Sequence, residues 1–326
     1  MADFNLTASA ASAIQKPGSD IFTKESYVLA LERGLDKVFK REYETPFQGE
    51  RYFGTASMKQ PTETYQSFLT LGGVVGQNRD ADDIPYVTSG EGFRYSVSSY
   101  LYRIGIAIER ELQEIDDRGV TRGKQAEMAR MARMTREYAY ADVFNRAVNP
   151  TNAPLLCDDG MYLIDSDRPN ANPEGGTWSN EEAASAITPT SLWTAGVNAR
   201  KIRDDNGELI GGIKIMKIIA GPDYEKTLKE ILGSDKNPTN AMNTVNILKG
   251  YAPYEIYDYL TDAAIFYQLC DAKSEENELK CYWRQKDSFK TWEDGSNPDI
   301  MRQRVRFAFG LGCGSPRRAW RGGEIS

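Results

Sequence analysis

Between residues 93 and 108 apolar side chains fall on every second position, first at Phe93, Tyr95 and Val97, then at Tyr100, Tyr102, Ile104, Ile106 and Ile108. A period of two is that of a strand, whose successive side chains point to opposite faces. The phase slips once, near Ser98 and Ser99, and such a slip turns the inward face over, as a bulge or a change of sheet does. Before this run, SMKQPTETYQSFLTLGGVVGQNRDADDIPYVTSGEG (residues 57 to 92) is rich in Gly, Thr and Asp and has only short apolar groups. The two stretches predict a large hairpin that leaves the body, with a glycine-rich, acidic tip. Arms of about 15 to 20 residues at roughly 3.3 Å each reach on the order of 50 to 65 Å. An isolated two-stranded ribbon is marginal in water, so another molecule is expected to supply its missing face.

Helical spacing governs two other segments. Residues 23 to 44 carry Val28, Leu31, Leu35, Val38 and Phe39, with Thr23 as cap and Pro46 as the stop. TRGKQAEMARMARMTREYAYADVFNRAV, residues 121 to 148, predicts a helix about 40 Å long. Met131, Met134, Tyr138, Ala141, Phe144 and Val148 are its expected core stripe, and Arg130, Arg133 and Arg136 form a row on a neighbouring face.

Loops rich in Pro, Asn and Gly (NPTNAPLLCDDG and DRPNANPEGGTWSNEEAAS) then lead into a second unit. There a helix capped by Thr188 or Thr190 carries Leu192, Trp193, Val197 and Ile202, and ends in a D-D-N-G turn. A strand at Ile213 to Ile219 runs through Gly221-Pro222 into a helix bearing Tyr224, Leu228, Ile231 and Leu232. NILKGYAPYEIYDYL and AIFYQLCDA read as short strands, KCYWRQKDSFKTWED as a strand pair, and MRQRVRFAFGLGCGSP as a last strand before a Gly- and Arg-rich tail. No internal repeat is present, and the mixture is α+β.

Composition narrows the function. A chain of 326 residues with 40% hydrophobic residues can bury a real core. No apolar run approaches the roughly 20 residues of a spanning helix, and the N-terminus lacks a signal-peptide pattern, so no membrane partner is expected. A formal charge of −7 argues against a protein whose main task is gripping nucleic acid, while leaving proximity to it open. Histidine is absent, which removes the commonest general base and metal ligand. A cytoplasmic enzyme using carboxylate or lysine chemistry stands as the alternative reading. The four cysteines, Cys157, Cys270, Cys281 and Cys313, have no C-x-x-C spacing and read as buried reduced thiols.

The chemical motifs are weak. The Gly221-Pro222 corner offers one glycine, a proline without an N–H, and Asp223 and Glu225, which repel phosphate; it reads as a plain helix start. The D-D-N-G segment puts Leu209 where the glycine of a calcium loop belongs, and so reads as a turn. No catalytic, cofactor or metal site is assigned. The candidates left are inter-subunit contacts at the hairpin tip, Arg79, Asp80, Asp82 and Asp83, and on the long helix, Arg130, Arg133 and Arg136.

The stretch TWSNEEAASAITPTSLWTAGVNARKIRDDNGELIGGIKIMKIIAGPDYEKTLKEILGSDKNPTNAMNTVNILKGY resembles the core of tailed-phage major capsid proteins of the Hong Kong 97-like fold, closest to the Mu-type head subunits. The order of elements matches from about Thr23 onward. The resemblance implies an N-terminal arm (1–22), a peripheral-domain helix and connection (23–56), and an extended E-loop hairpin (57–97). A peripheral domain with the spine helix (98–150), an apical α+β domain (151–280) and a return to the peripheral domain with a C-terminal tail (281–326) would follow. It further implies a non-enzymatic subunit that assembles with itself into hexamers and pentamers of an icosahedral shell. Scaffolding, portal and decoration proteins would be its other partners, with packaged double-stranded DNA nearby and no sequence-specific grip on it.

Overall fold

A computed structural model describes residues 47–68, 90–109, 111, 120–148, 155–172, 176–182, 187–236, 245–261, 265–270, 279–293, 295, 297 and 299–324. The N-terminal arm, the helix expected at 23 to 44 and the hairpin tip with Arg79, Asp80, Asp82 and Asp83 lie outside the described residues. In chain order the elements are β1 (Gly54–Ser57), β2 (Thr62–Phe68), β3 (Glu91–Ser98), β4 (Tyr100–Glu109), α1 (Val120–Asn145), β5 (Arg168–Pro169), β6 (Thr177–Trp178), α2 (Pro189–Arg200), β7 (Ile215–Ala220), α3 (Glu225–Gly233), β8 (Tyr254–Ile256), β9 (Ile265–Cys270), β10 (Leu279–Glu293), β11 (Ile300–Cys313) and β12 (Trp320–Glu324).

Two four-stranded sheets carry the fold, in the orders β1-β10-β11-β4 and β12-β9-β7-β8. In the first, β11 is antiparallel to both β10 and β4, and β1 runs parallel to β10. Alternation along β11 sets its two faces: Met301, Gln303, Val305, Phe307 and Phe309 are buried, whereas Arg302, Arg304 and Arg306 point away. Onto the buried face pack Tyr102, Ile104 and Ile106 of β4, Phe289 of β10, and Tyr140 and Phe144 of α1. The slip at Ser98 and Ser99 is a change of sheet: β3 pairs with β2, and β4 pairs with β11.

The second sheet is covered on both sides. Ile218, Ala220 and Phe266 join Leu192 and Ala195 of α2 and Leu228, Ile231 and Leu232 of α3 in one core. Ile219, Tyr267 and Trp320 alternate to the other side and merge with the core of the first sheet around Phe144. Burying such side chains contributes roughly 1.5 to 3 kcal/mol each. The local signals in this unit hold. Thr188 caps α2 in a capping box with Ser191. In the D-D-N-G turn Asp204 Oδ1 accepts the Asn206 and Glu208 amides at 2.9 and 2.8 Å, and Gly207 takes φ 80°. Pro222 opens a short 3₁₀ turn ahead of α3, so the corner is a bend.

Three expectations need correction. Of the expected α1 stripe, Ala141 and Phe144 are buried and Val148 packs against the core, while Met131 and Tyr138 are exposed; the rest of the buried face is Gln125, Met128, Ala129, Ala132, Arg136, Glu137, Tyr140 and Val143. Alanines bring the helix axis close to the sheet, and hydrophobicity alone pointed to the bulkier stripe one side over. KCYWRQKDSFKTWE, read with the next residue as a strand pair, lies in the single strand β10, because register shifts between Trp283 and Ser288 carry the polar run through where a turn was expected. The Gly- and Arg-rich tail forms β12, which pairs antiparallel with β9. No helix among the described residues is long and apolar enough to cross a membrane.

All four cysteines are free and buried, and burial pushes the Cys281 thiol up to about 11. At pH 8, freshly reduced native protein is expected to give no fast reaction with a water-soluble thiol reagent and four equivalents after unfolding. Rapid labelling of even one thiol in the native state would contradict this packing.

Candidate assembly surface

The hairpin is rooted on its own chain. In β2 and β3 Thr62 lies opposite Ser98 and Tyr65 opposite Tyr95. The Tyr65 and Tyr95 rings stack at 5.6 Å, Tyr65 also meets the Tyr282 ring at 4.8 Å, and the Tyr95 and Tyr282 hydroxyls are 3.2 Å apart. Met58, Val97 and Tyr282 form a small buried cluster beneath. This contact occupies the outward face of β10 and β11, at the end where β11 carries Gly310 and Gly312. A Cβ on Gly310 would sit 2.5 Å from the Ser98 carbonyl oxygen, and one on Gly312 would sit 2.6 Å from Val97 Cγ2. Only glycine lets the two layers approach this closely. The run FAFGLGCG was read simply as a strand running out; its glycines at alternate positions were the available signal for the seat.

At the turn into β2, Glu63 accepts the amides of Gln60 at 3.0 Å and of Lys59, together with the Tyr65 hydroxyl at 2.9 Å. These bonds, the Gln60 amide foremost, hold its carboxyl below the usual carboxylate range. A depressed carboxyl stabilises the fold above its unfolded pKa, and that contribution fades as pH falls through the folded value.

The long helix does not present its three arginines as one row. Residues three apart on a helix step back by about 60°, so Arg130 and Arg136 are about 120° apart. Arg130 is exposed, Arg133 half-buried, and Arg136 only 3% exposed. The Arg136 guanidinium lies between the rings of Phe47 and Trp283, at 4.1 and 4.7 Å, and reaches Glu50 at 3.2 Å and Asp287 at 3.4 Å. Next to it, Glu137 accepts the Gln48 and Gly49 amides at 2.6 and 3.0 Å. The pair therefore fastens segment 47–52 and β10 to α1 inside one subunit. Removing one member of such a buried set costs more than an exposed pair is worth, because its partners are left unmatched.

Buried arginines also tie the tail and the loops together, a role that the sequence reading did not assign. Arg168 is fully buried, with Asp159 at 2.9 Å and the Trp178 ring at 5.1 Å. Arg317 reaches Asp205 at 2.9 Å and also lies over Trp178, and Arg321 reaches Glu182 at 2.6 Å. A groove of about 670 Å³ runs past Asp158, Asp159, Asp204, Asp205 and Glu208. Asp159 and Asp205 hold arginines and Asp204 holds its own turn, so these carboxylates serve the loops. Among the described residues no group of three or more His, Cys, Asp or Glu side chains is arranged to hold a metal ion.

No family model and no curated protein matches the chain. Solved structures do. The capsid structure of the cyanophage P-SCSP1u matches with TM-score 0.54 and 9% identity, over 86% of this chain and 88% of that one. A Mycobacterium phage Patience structure matches with TM-score 0.53 and 10% identity, over 96% and 95% of the two chains. The procapsid of bacteriophage JBD30 matches with TM-score 0.51 and 15% identity, over 93% and 77%. The chain has the phage capsid fold. At these identities the likeness is one of fold.

Gly310→Ala is expected to lift the hairpin root, lowering stability by about 1 to 3 kcal/mol and speeding proteolysis between residues 57 and 98. Gly233→Ala, which meets open space, serves as the control and should behave as wild type. A Gly310→Ala protein as stable and as resistant as wild type would remove the seat.

Proposed function

We propose that this chain is the major head subunit of a tailed phage, assembling as hexamers and pentamers into an icosahedral shell around packaged double-stranded DNA. The observation that carries the reading is the match in topology to phage capsid structures over 86% or more of the chain. Its place would be the virion, after assembly in the host cytoplasm. The division into N-terminal arm, E-loop, peripheral and apical domains, a Mu-type kinship, and scaffolding, portal and decoration partners belong to the same proposal.

Surface chemistry supports it. Tyr100, Val245 and Ile247 are 67%, 80% and 75% exposed in the single chain, and Trp193, Leu209 and Met216 are also uncovered. Large apolar side chains left open in this number suit a subunit whose neighbours cover them. Each exposed charge pair across a contact is worth only a few tenths to about 1 kcal/mol, so cohesion would come from area buried among many copies.

Expressed protein imaged by negative stain should show closed particles or capsomers, and protease should cut residues 57 to 92 in dilute subunits while sparing them in particles. A monodisperse monomer with an equally protected hairpin at every concentration would overturn the proposal. Within it, Arg130 and the tip residues Arg79, Asp80, Asp82 and Asp83 meet opposite charges on neighbours. Charge reversal at Asp82 and Asp83 is expected to lower particle yield, and an unchanged yield would refute the tip contact.

A further inference from the structure

The first sheet has one face against α1 and the other partly covered by the hairpin root, and beyond the root the uncovered part is basic. Arg302, Arg304 and Arg306 point outward at alternate positions of β11. The register sets Arg103 of β4 opposite Arg306, and Lys290 of β10 opposite Arg304. Trp292 stands opposite Arg302, its ring 5.2 Å from the Arg304 guanidinium. Between the cations Gly105 and Ala107 floor a trough of about 280 Å³. A Cβ at Gly105 would come within 2.9 Å of the Gln303 carbonyl oxygen, so the floor is held down by close backbone approach. Among the described residues the only carboxylate at an outward position of β4, β10 or β11 in this region is Glu109, at the sheet's end.

We propose that this sheet face receives the phosphate backbone of nucleic acid. Such a concentration of cations stands out on a chain of net charge −7. Alternate residues of a strand lie about 6.8 Å apart and neighbouring strands about 4.8 Å apart, so the cations form a regular two-dimensional array. A polymer with one negative charge per repeat can meet several of them at once, and planar guanidinium groups suit phosphate oxygens. Contacts to phosphate position a polymer without carrying sequence information, so binding through these cations is sequence-independent. A handful of cations per subunit gives weak attachment, which multiplies over a lattice without immobilising the polymer at any one site. The inference depends on the proposed shell only for which nucleic acid is met, the packaged duplex.

The test is a fluorescence-anisotropy titration of unassembled full-length subunits with a duplex of about 30 base pairs, at about 50 to 200 mM salt. With Arg103, Lys290, Arg304 and Arg306 each displacing a counterion, log K should fall against log salt with a slope of about −3.6. Arg304→Glu with Arg306→Glu should weaken binding at least tenfold and flatten the slope by about 2. The milder Arg103→Gln with Lys290→Gln, at exposed positions, should flatten it by about 2 as well, with thermal melting as the check on folding. Lys226→Glu on α3 is the control and should change neither quantity by a comparable amount. Wild-type affinity and slope in both double variants would overturn the proposal. So would polyglutamate binding tighter than the duplex, since the face would then be built for an acidic polypeptide. Negative stain of wild-type protein concentrated for assembly separates the two conclusions: particles or capsomers with a flat titration sink this inference alone, and a monodisperse monomer with a salt-dependent titration sinks the shell reading alone.

Discussion

The alternation of side chains along β11 is the constraint on which the rest of this structure depends. Its odd-numbered positions, Met301 to Phe309, enter the core against α1, and this obliges the even-numbered positions to face outward. The outward positions then divide by size and charge. Glycines at 310 and 312 admit the hairpin root, arginines at 302 and 304 line the trough, and Arg306 follows them on the same face. One strand thus builds a core, a seat and a charged surface, and a register shift of one residue would exchange them all.

A second constraint is the burial of charge at the joints between segments. Arg136 with Glu137 fastens the chain before β1 to α1; Arg168 ties the loop around Asp159 to Trp178, and Arg317 and Arg321 join the C-terminal segment to the loops at Asp205 and Glu182. Ion pairs of this kind are poor sources of net stability, since desolvation offsets most of their attraction. Their directionality is what suits them to irregular segments, where no ladder of backbone bonds fixes the geometry. Loops that would otherwise be loose excursions become parts of the second sheet's surroundings.

The hairpin sits between these two regimes. Its root is apolar and aromatic, clamped by Tyr65, Tyr95 and Tyr282 over Met58 and Val97. The described strands β2 and β3 form a two-stranded sheet of their own, and two strands alone stabilise themselves poorly in water. A firm root with a ribbon in need of a second face is the physical form that a subunit built for contact with copies of itself would take.

Local physics decided what could be read from the sequence. The period-two runs of β3 and β4, the phase slip at Ser98 and Ser99 as a bulge or a change of sheet, a helix cap at Thr188 or Thr190, the D-D-N-G turn and the Gly221-Pro222 bend each depend on residues within a few positions of one another, and each was legible to that extent. The side of α1 that faces the core was legible only in part: Ala141 and Phe144 are buried as expected, but Ala129, Ala132 and Arg136 take the places expected of Met131 and Tyr138, through the fit of the opposing sheet. The continuity of β10, which is set by its ladder to β11, was not legible, nor was β12, which exists only because β9 offers it an edge. Gly310 and Gly312 were visible as letters, but their purpose depends on the backbone of Ser98 more than two hundred residues earlier in the chain. Periods, caps and turns are short-range and belong to the sequence; which face meets which partner is a long-range choice among packings, and only the assembled tertiary structure makes it.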